Sequence, residues 1–515
     1  MITRVVVFAS ALLIPVLAHA SNPSVDLSVV VVPLTPPAVA CGSPNADSGT
    51  DITVDYSQGC TAMPPQLSAY VSTVQMMPFS GQAGVPISNA NMKALGMKLE
   101  RTFWGPSCWS VAAGNNNFNC NPTGYGGDQM LNSITADGAT PVVGMGGGVN
   151  NPGASWETLC TWIGSDKLPC NANEQIQIWV SGLNHLVSAY PNIRYIESAN
   201  EPDYGGWQIS TTEEQYRRLA SAVTQVNTAL GTKHFLLGGP VWANCYSDTA
   251  SFVAYVKANS LPLDWISYHA YNDTVTNCAN KVNSAAASQG VTGVPHLVTE
   301  YGDISIEGTQ QEAAYVAQDY YYLLADNLGA QVMPFPWERT TYVDFSRVDA
   351  RVGPEYNEAM MFHMHKATRI TPSAIIGPAS SFHPIATKDS TGVALTLSTY
   401  GAAGSFNVHL NNLPTAFSAG PFTWTEYLMD STHGNCYANC VNNGALPIVA
   451  SGSNPAASSF NLAVAMNDPN AMLMLVLTPA PAVKTSSVAQ SAAEKRPGRV
   501  TAMPLTLVRR PVGRL

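Results

Sequence analysis

Two glutamates in this 515-residue chain follow short runs of strand-forming residues. Ile193-Arg194-Tyr195-Ile196-Glu197-Ser198-Ala199 leads into Asn200-Glu201-Pro202, and His296-Leu297-Val298-Thr299 leads into Glu300-Tyr301-Gly302. Proline has no amide hydrogen and cannot continue a central ladder, so Glu201 belongs at a strand end. Two carboxyl groups on either side of one bond can cleave a glycoside. One gives a proton to the leaving oxygen; the other, ionised, attacks the anomeric carbon or activates water. Each motif alone reads equally well as a loop acid, and the joint placement is the stronger signal. Asn200 could bind the hydroxyl beside the scissile centre. His269 and Tyr271 share one face of the run 264–271, because side chains alternate along a strand. Trp337, after Phe335-Pro336, could floor a sugar ring or simply pack.

These residues need elements to hold them. Short apolar runs at 70–76, 99–104, 140–145, 193–199, 234–238, 264–271, 296–299 and 331–336 alternate with helix patterns such as 174–188, 213–230, 249–259 and 310–326, closed by 356–368. Strand–helix alternation predicts an α/β fold with a parallel sheet. Eight repeats fit a (β/α)8 TIM barrel, whose active sites lie at the C-terminal ends of the strands. An open doubly wound sheet is the alternative, but no Gly-rich phosphate turn follows the first strand. In a barrel, Glu201 and Glu300 end the fourth and seventh strands and face each other across part of the mouth. After about residue 371 the rhythm changes to strands with Gly, Asn and Pro turns and no helix pattern, which predicts a C-terminal β-sandwich. It reads as a buttress, with sugar binding as the sharper alternative. The expected organisation is therefore a signal peptide at 1–20, a Pro/Ser-rich segment at 21–65 able to lend the sandwich a strand, a catalytic barrel at 66–370, the sandwich at 371–480 and a disordered basic tail at 481–515.

Composition narrows the partners. Charged residues make up only 11% and the net charge is -10, so the basic footprint that nucleic acid requires is missing. Arg4, the apolar run 5–17 and Ala18-His19-Ala20 have the form of an export signal cleaved before Ser21, which predicts a secreted or periplasmic protein. That run is too short to span a membrane, and no later stretch is long and apolar enough. Ten cysteines behind an export signal predict disulfides, with neighbours pairing in order: Cys41–Cys60, Cys108–Cys120, Cys160–Cys170, Cys245–Cys278 and Cys436–Cys440. The last is the least secure, because its loop is so short. Zinc spacing is absent, and no metal or organic cofactor is expected.

In order and spacing the motifs resemble the clan A glycoside hydrolases, most nearly family 39, the β-xylosidase and α-L-iduronidase group. The resemblance covers about residues 90–340. It runs through Leu99-Glu100-Arg101, Ile196 to Pro202, Glu213-Glu214-Gln215-Tyr216, Gly238-Gly239-Pro240, Ile266 to Tyr271 and Thr299-Glu300-Tyr301-Gly302. It implies a retaining O-glycosidase with Glu201 as acid/base, Glu300 as nucleophile and Asn200 as a sugar contact, while Arg101, His269 and Tyr271 orient or ionise the nucleophile. Two departures touch the sugar subsites. Ala199 stands where the family often has an aromatic, and Phe103-Trp104-Gly105 follows Thr102 where His-Gly is common. Substrate specificity is therefore not carried over. The rivals are an inactive carbohydrate-binding barrel and a transglycosylase using the same intermediate. For a retaining enzyme the two carboxyls should lie about 5–5.5 Å apart. Such close carboxylates repel, so one should titrate high; Glu201 is the expected one, since Arg101 can stabilise ionised Glu300.

Overall fold

The computed structural model describes residues 51–62, 70–72, 85–104, 128–145, 159–161, 167–169, 172–326 apart from 246, 272 and 307, 330–334, and 352–481 apart from 372, 373, 378, 437–439 and 441–443. The expected signal peptide, the basic tail and Trp337 lie outside the described residues.

Eight strands form one all-parallel sheet in sequence order: β1 (Tyr70–Ser72), β2 (Leu99–Phe103), β3 (Thr140–Gly144), β4 (Tyr195–Glu197), β5 (Leu236–Trp242), β6 (Trp265–Ala270), β7 (His296–Tyr301) and β8 (Ala330–Pro334). The sheet curls, and its edge strands β1 and β8 lie against one another. Helices connect successive strands. The longest, Ile209–Leu230, buries Tyr216, Leu219, Ala220, Val223 and Val226, the 3–4 spacing of an amphipathic helix against a core. It stops at Gly231, whose left-handed φ of 67° returns its amide to the carbonyls of Asn227 and Thr228.

Inside the curl, alternation along the strands sorts side chains into layers. Leu99, Val142, Tyr195, Trp265 and Leu297 form an apolar layer. Two residues further along β2 and β4 stand Arg101 and Glu197, both fully buried. The charged layer thus rests on a hydrophobic floor. Gly238 is obligatory there, since a Cβ would lie 1.9 Å from the Trp265 ring. On the opposite face of β2, Glu100 is buried beside Asp137 of the helix Asp128–Asp137. Burial and mutual repulsion push Glu100 well above the ordinary carboxyl range, and burial raises Asp137 to about 8. The end of β7 is braced from behind. Gly302, with φ 152°, leaves room for the Glu312 carboxylate, which a Cβ would meet at 2.7 Å. Glu312 also accepts the Gly308 amide at 2.7 Å.

The remaining strands are antiparallel apart from one parallel pairing. A seven-stranded sheet runs from Ile448–Asn454 through Phe422–Met429, Asn470–Pro479, Gly392–Tyr400, Ile385–Asp389 and Thr368–Ile370 to Gly59–Ala62. A four-stranded sheet joins Ile375–Ile376, Ile52–Asp55, Gly404–Asn411 and Phe460–Met466. Val54, Leu395, Val408, Phe417, Phe460 and Leu473 share the core between them. Ile52–Asp55 runs parallel to Gly404–Asn411, and Gly59–Ala62 antiparallel to Thr368–Ile370. The segment 52–62, although it precedes the parallel sheet in the chain, is thus built into the sheets of the C-terminal region. Two short helices, Ala379–Phe382 and Thr415–Ala419, interrupt this region, where the sequence pattern shows none. They are too short to display a helical period, and Phe417 alone of the second is buried.

Two of the expected disulfides are present. Cys245–Cys278 ties the loop after β5 to the helix Val275–Ser288, and Cys436–Cys440 closes its short loop. Cys60 is disulfide-bonded as well. The pairings of Cys41, Cys108, Cys120 and Cys170 fall outside the described residues. No helix among the described residues is long and apolar enough to cross a membrane.

Candidate active site

At the C-terminal edge of the curled sheet the carboxyls of Glu201 and Glu300 converge. Single ligating atoms of Glu201, His269 and Glu300 all lie within 4.8 Å of one another. One oxygen of each carboxyl therefore comes close to the other at the mouth, side by side with the imidazole. Glu300 is placed by β7 itself. The strand continues past the run 296–299, through Glu300 to Tyr301, and pairs Glu300 with His269 of β6. Glu201 is placed differently. β4 ends at Glu197, and Glu201 sits four residues beyond it with φ 46°. Its amide donates to Val241 O at 2.9 Å, and Val241 has φ 65°. Left-handed backbone at non-glycine residues costs on the order of 1–3 kcal/mol each, and such strain concentrates at functional sites.

Arg101 organises the carboxyls. Its Nε donates to Glu197 Oε2 at 2.6 Å, one terminal nitrogen to Glu300 Oε1 at 2.5 Å, and the other to Asn200 Oδ1 at 2.8 Å. Burial alone would weaken the guanidinium's hold on its proton. The charges and hydrogen bonds of Glu197 and Glu300 outweigh it, so the pKa is raised. The Tyr271 hydroxyl donates to Glu300 Oε2 at 2.8 Å. Burial, then the Glu300 charge, push that phenol well above its ordinary value, so it remains a donor. Each oxygen of Glu300 is thus held by a donor, one from Arg101 and one from Tyr271.

His269 has a different hydrogen-bond partner from the one the resemblance implied. Its Nδ1 lies 2.8 Å from Glu201 Oε1 and 3.4 Å from Glu300 Oε2, so its hydrogen bond goes to the former. The network assigns the proton to Nδ1, because Nε2 is buried and meets no acceptor among the described residues. This overturns the expectation that Glu201 titrates high. Burial does push its carboxyl up, but the hydrogen bond from His269, with the charge of Arg101, more than offsets that and leaves it below the ordinary value.

The structure therefore brings together Arg101, Asn200, Glu201, His269, Tyr271 and Glu300. It adds Glu197, which in the sequence reads as an ordinary strand residue. Its place two residues beyond the apolar Tyr195, on the same strand face, was the available signal. The trio Glu201, His269 and Glu300 has the reach of a metal site. However, His269 Nδ1 spends its hydrogen on Glu201, and the fixed cation of Arg101 sits against Glu300, so the donors suit proton transfer better than a cation. Cys245, Asp273 and Cys278 also cluster, but both sulfurs are spent in the disulfide.

Removing Arg101 tests this arrangement. Arg101→Met leaves Glu197 and Glu300 buried without their shared cation, and breaking a buried ion pair this way costs about 3–5 kcal/mol. The midpoint of chemical unfolding should fall accordingly. An unchanged midpoint would mean that the carboxyls do not depend on Arg101.

This fold is shared with glycoside hydrolases of clan A. Among solved structures, the chain is similar to the GH39 enzyme from Xanthomonas axonopodis pv. citri, with a TM-score of 0.64, 15% identity, and coverage of 84% of this chain and 98% of that one. A monomeric beta-xylosidase from Caulobacter crescentus gives 0.63 and 14%, covering 84% of this chain and all of the other. The bacterial orthologue of human α-L-iduronidase gives 0.57 and 14%, covering 84% of each. At such identities the likeness establishes the fold alone. No protein-family model and no curated protein matches the sequence.

Proposed function

We propose that the protein is a secreted retaining O-glycosidase on a closed (β/α)8 barrel braced by a β-sandwich. The observation that carries this is the convergence of Glu201 and Glu300, with an oxygen of each within 4.8 Å of the other, one carboxyl held by Arg101 and Tyr271 and the other beside an imidazole. Glu300 Oε2 attacks the anomeric carbon as Glu201 gives its proton to the leaving oxygen. A glycosyl ester on Glu300 and the free alcohol result. Glu201, now a carboxylate, takes a proton from water, whose oxygen attacks the same carbon and releases the sugar and Glu300. Arg101 keeps Glu197 as its counter-charge when Glu300 is esterified, so the cation is never left bare.

Glu201 begins as the weaker partner for the first step, since His269 favours its anion. Its side chain is 19% exposed, and a bound sugar covering it would raise its pKa by the same desolvation that already acts on it. The fold likeness to enzymes named as xylosidases and glucosidases supports a polysaccharide or oligosaccharide substrate. The close carboxyl pair favours catalysis over an inactive binding barrel. A transglycosylase would use the same ester with a sugar as acceptor. Incubating the protein with aryl glycosides and polysaccharides, with and without added acceptor sugars, tests the reading. Release of reducing sugar without acceptor is expected. Products found only with acceptor would favour the transglycosylase, and inertness toward the whole panel would contradict the proposal.

A further inference from the structure

The turn that carries Glu201 continues into Pro202-Asp203-Tyr204-Gly205-Gly206-Trp207, and it is built to hold its shape. The Gly205 amide donates to Glu201 O at 3.0 Å, Gly206 to Asp203 O at 3.1 Å and Trp207 to Pro202 O at 2.8 Å. The Asp203 carboxylate accepts the amides of Ala243 at 2.8 Å and Asn244 at 2.9 Å, which ties the turn to the residues after β5. On this pinned turn Tyr204 is 79% exposed, well beyond Ile448 at 58%, the next most exposed large hydrophobic residue among those described. The two glycines after it carry no side chains to cover its ring. A single exposed aromatic is ordinary on a protein surface. This one is held, by backbone bonds, one turn from the carboxyl that serves the leaving oxygen.

We infer that Tyr204 is the platform of a leaving-group subsite, stacking on the sugar ring released in the first step. The inference rests on the glycosidase reading above. Glu201 must reach the oxygen between the two sugars, so the departing sugar lies on Glu201's side, where this turn is. A sugar ring presents a face of C–H bonds that packs on an aromatic face. A backbone already fixed in place loses little freedom on binding, which leaves only the Tyr204 ring to be ordered. Binding energy gained there, remote from the reacting carbon, can be spent on orienting the bond that breaks. The ligand class is therefore a glycoside whose leaving group is itself a sugar.

The test compares substrates that share a glycon and differ only in what leaves: xylobiose against xylosyl fluoride, and cellobiose against glucosyl fluoride. Fluoride offers nothing to stack. For the pair the wild-type protein cleaves, the ratio of kcat/KM for disaccharide to that for fluoride should fall about tenfold in Tyr204→Ala. Tyr204→Phe should keep the wild-type ratio. A ratio unchanged in Tyr204→Ala overturns the subsite and leaves the glycosidase reading standing. So does a fall in Tyr204→Phe equal to that in Tyr204→Ala, which would assign the effect to the hydroxyl. Where the wild-type protein prefers another glycon, the disaccharide and fluoride of that glycon replace these pairs; a protein inert toward every glycoside counts against the glycosidase reading and removes the subsite with it.

Discussion

Glu300→Gln abolishes turnover of every substrate, whatever its leaving group, by roughly 10⁵-fold or more, the scale on which enzymes lose activity with their covalent nucleophile. The amide matches the carboxyl in size and can still accept from Tyr271, but it cannot form the ester. Its NH2 would also face the Arg101 guanidinium, which has only donors to offer. Rate measurements on activated and unactivated glycosides check this. Near-native activity in Glu300→Gln would remove Glu300 from the mechanism.

Glu201→Ala has a loss that depends on the substrate. General acid catalysis contributes about 10²–10⁴-fold, and that factor is withdrawn only when the leaving group needs a proton. Sugars and alcohols should therefore leave slowly, while glycosyl fluorides or dinitrophenolates form the ester at nearly the wild-type rate. The ester then waits, because no base is left to activate water. Azide needs no base and fits the space of the missing carboxyl, so it should restore turnover and yield a glycosyl azide of retained configuration. The alkaline limb of the pH profile should vanish too, as it reports loss of the acid's proton. An azide of inverted configuration, or an equal loss for all leaving groups, would contradict the role given to Glu201.

Much of this site was legible in the sequence, and the parts that were not have physical reasons. Alternating strands and helices between residues 70 and 334 placed Glu201 and Glu300 at the ends of the fourth and seventh strands. Period-2 counting put His269 and Tyr271 on a common face, as observed: their rings lie 6.0 Å apart. Counting could not say which carboxyl each would touch. The register shift between Tyr268 and His269 and the positive φ of Glu201 are tertiary facts, and together they send His269 to Glu201. The same ambiguity hid Glu197. Glu100 and Glu197 both sit in apolar strands and both are buried, yet one faces the helix layer and pairs with Asp137 while the other faces Arg101. The expectation for Glu201 failed because it weighed the repulsion of two carboxylates and the pull of Arg101 on Glu300, when the nearest group to Glu201 is an imidazole N–H. The short helices after residue 371 escaped because one turn leaves no periodicity to read.

The central claim is that Glu300 becomes an ester, and it can be seen directly. A 2-deoxy-2-fluoro glycoside with a good leaving group, made with the glycon that the wild-type protein prefers, forms the glycosyl-enzyme but hydrolyses it slowly, because the fluorine destabilises both transition states. Intact mass spectrometry should show one added fluorosugar, and peptide mapping should place it on Glu300. A fluorosugar found on Glu201 or Glu197, or an unlabelled protein whose first product from ordinary substrate has inverted configuration, would contradict the account.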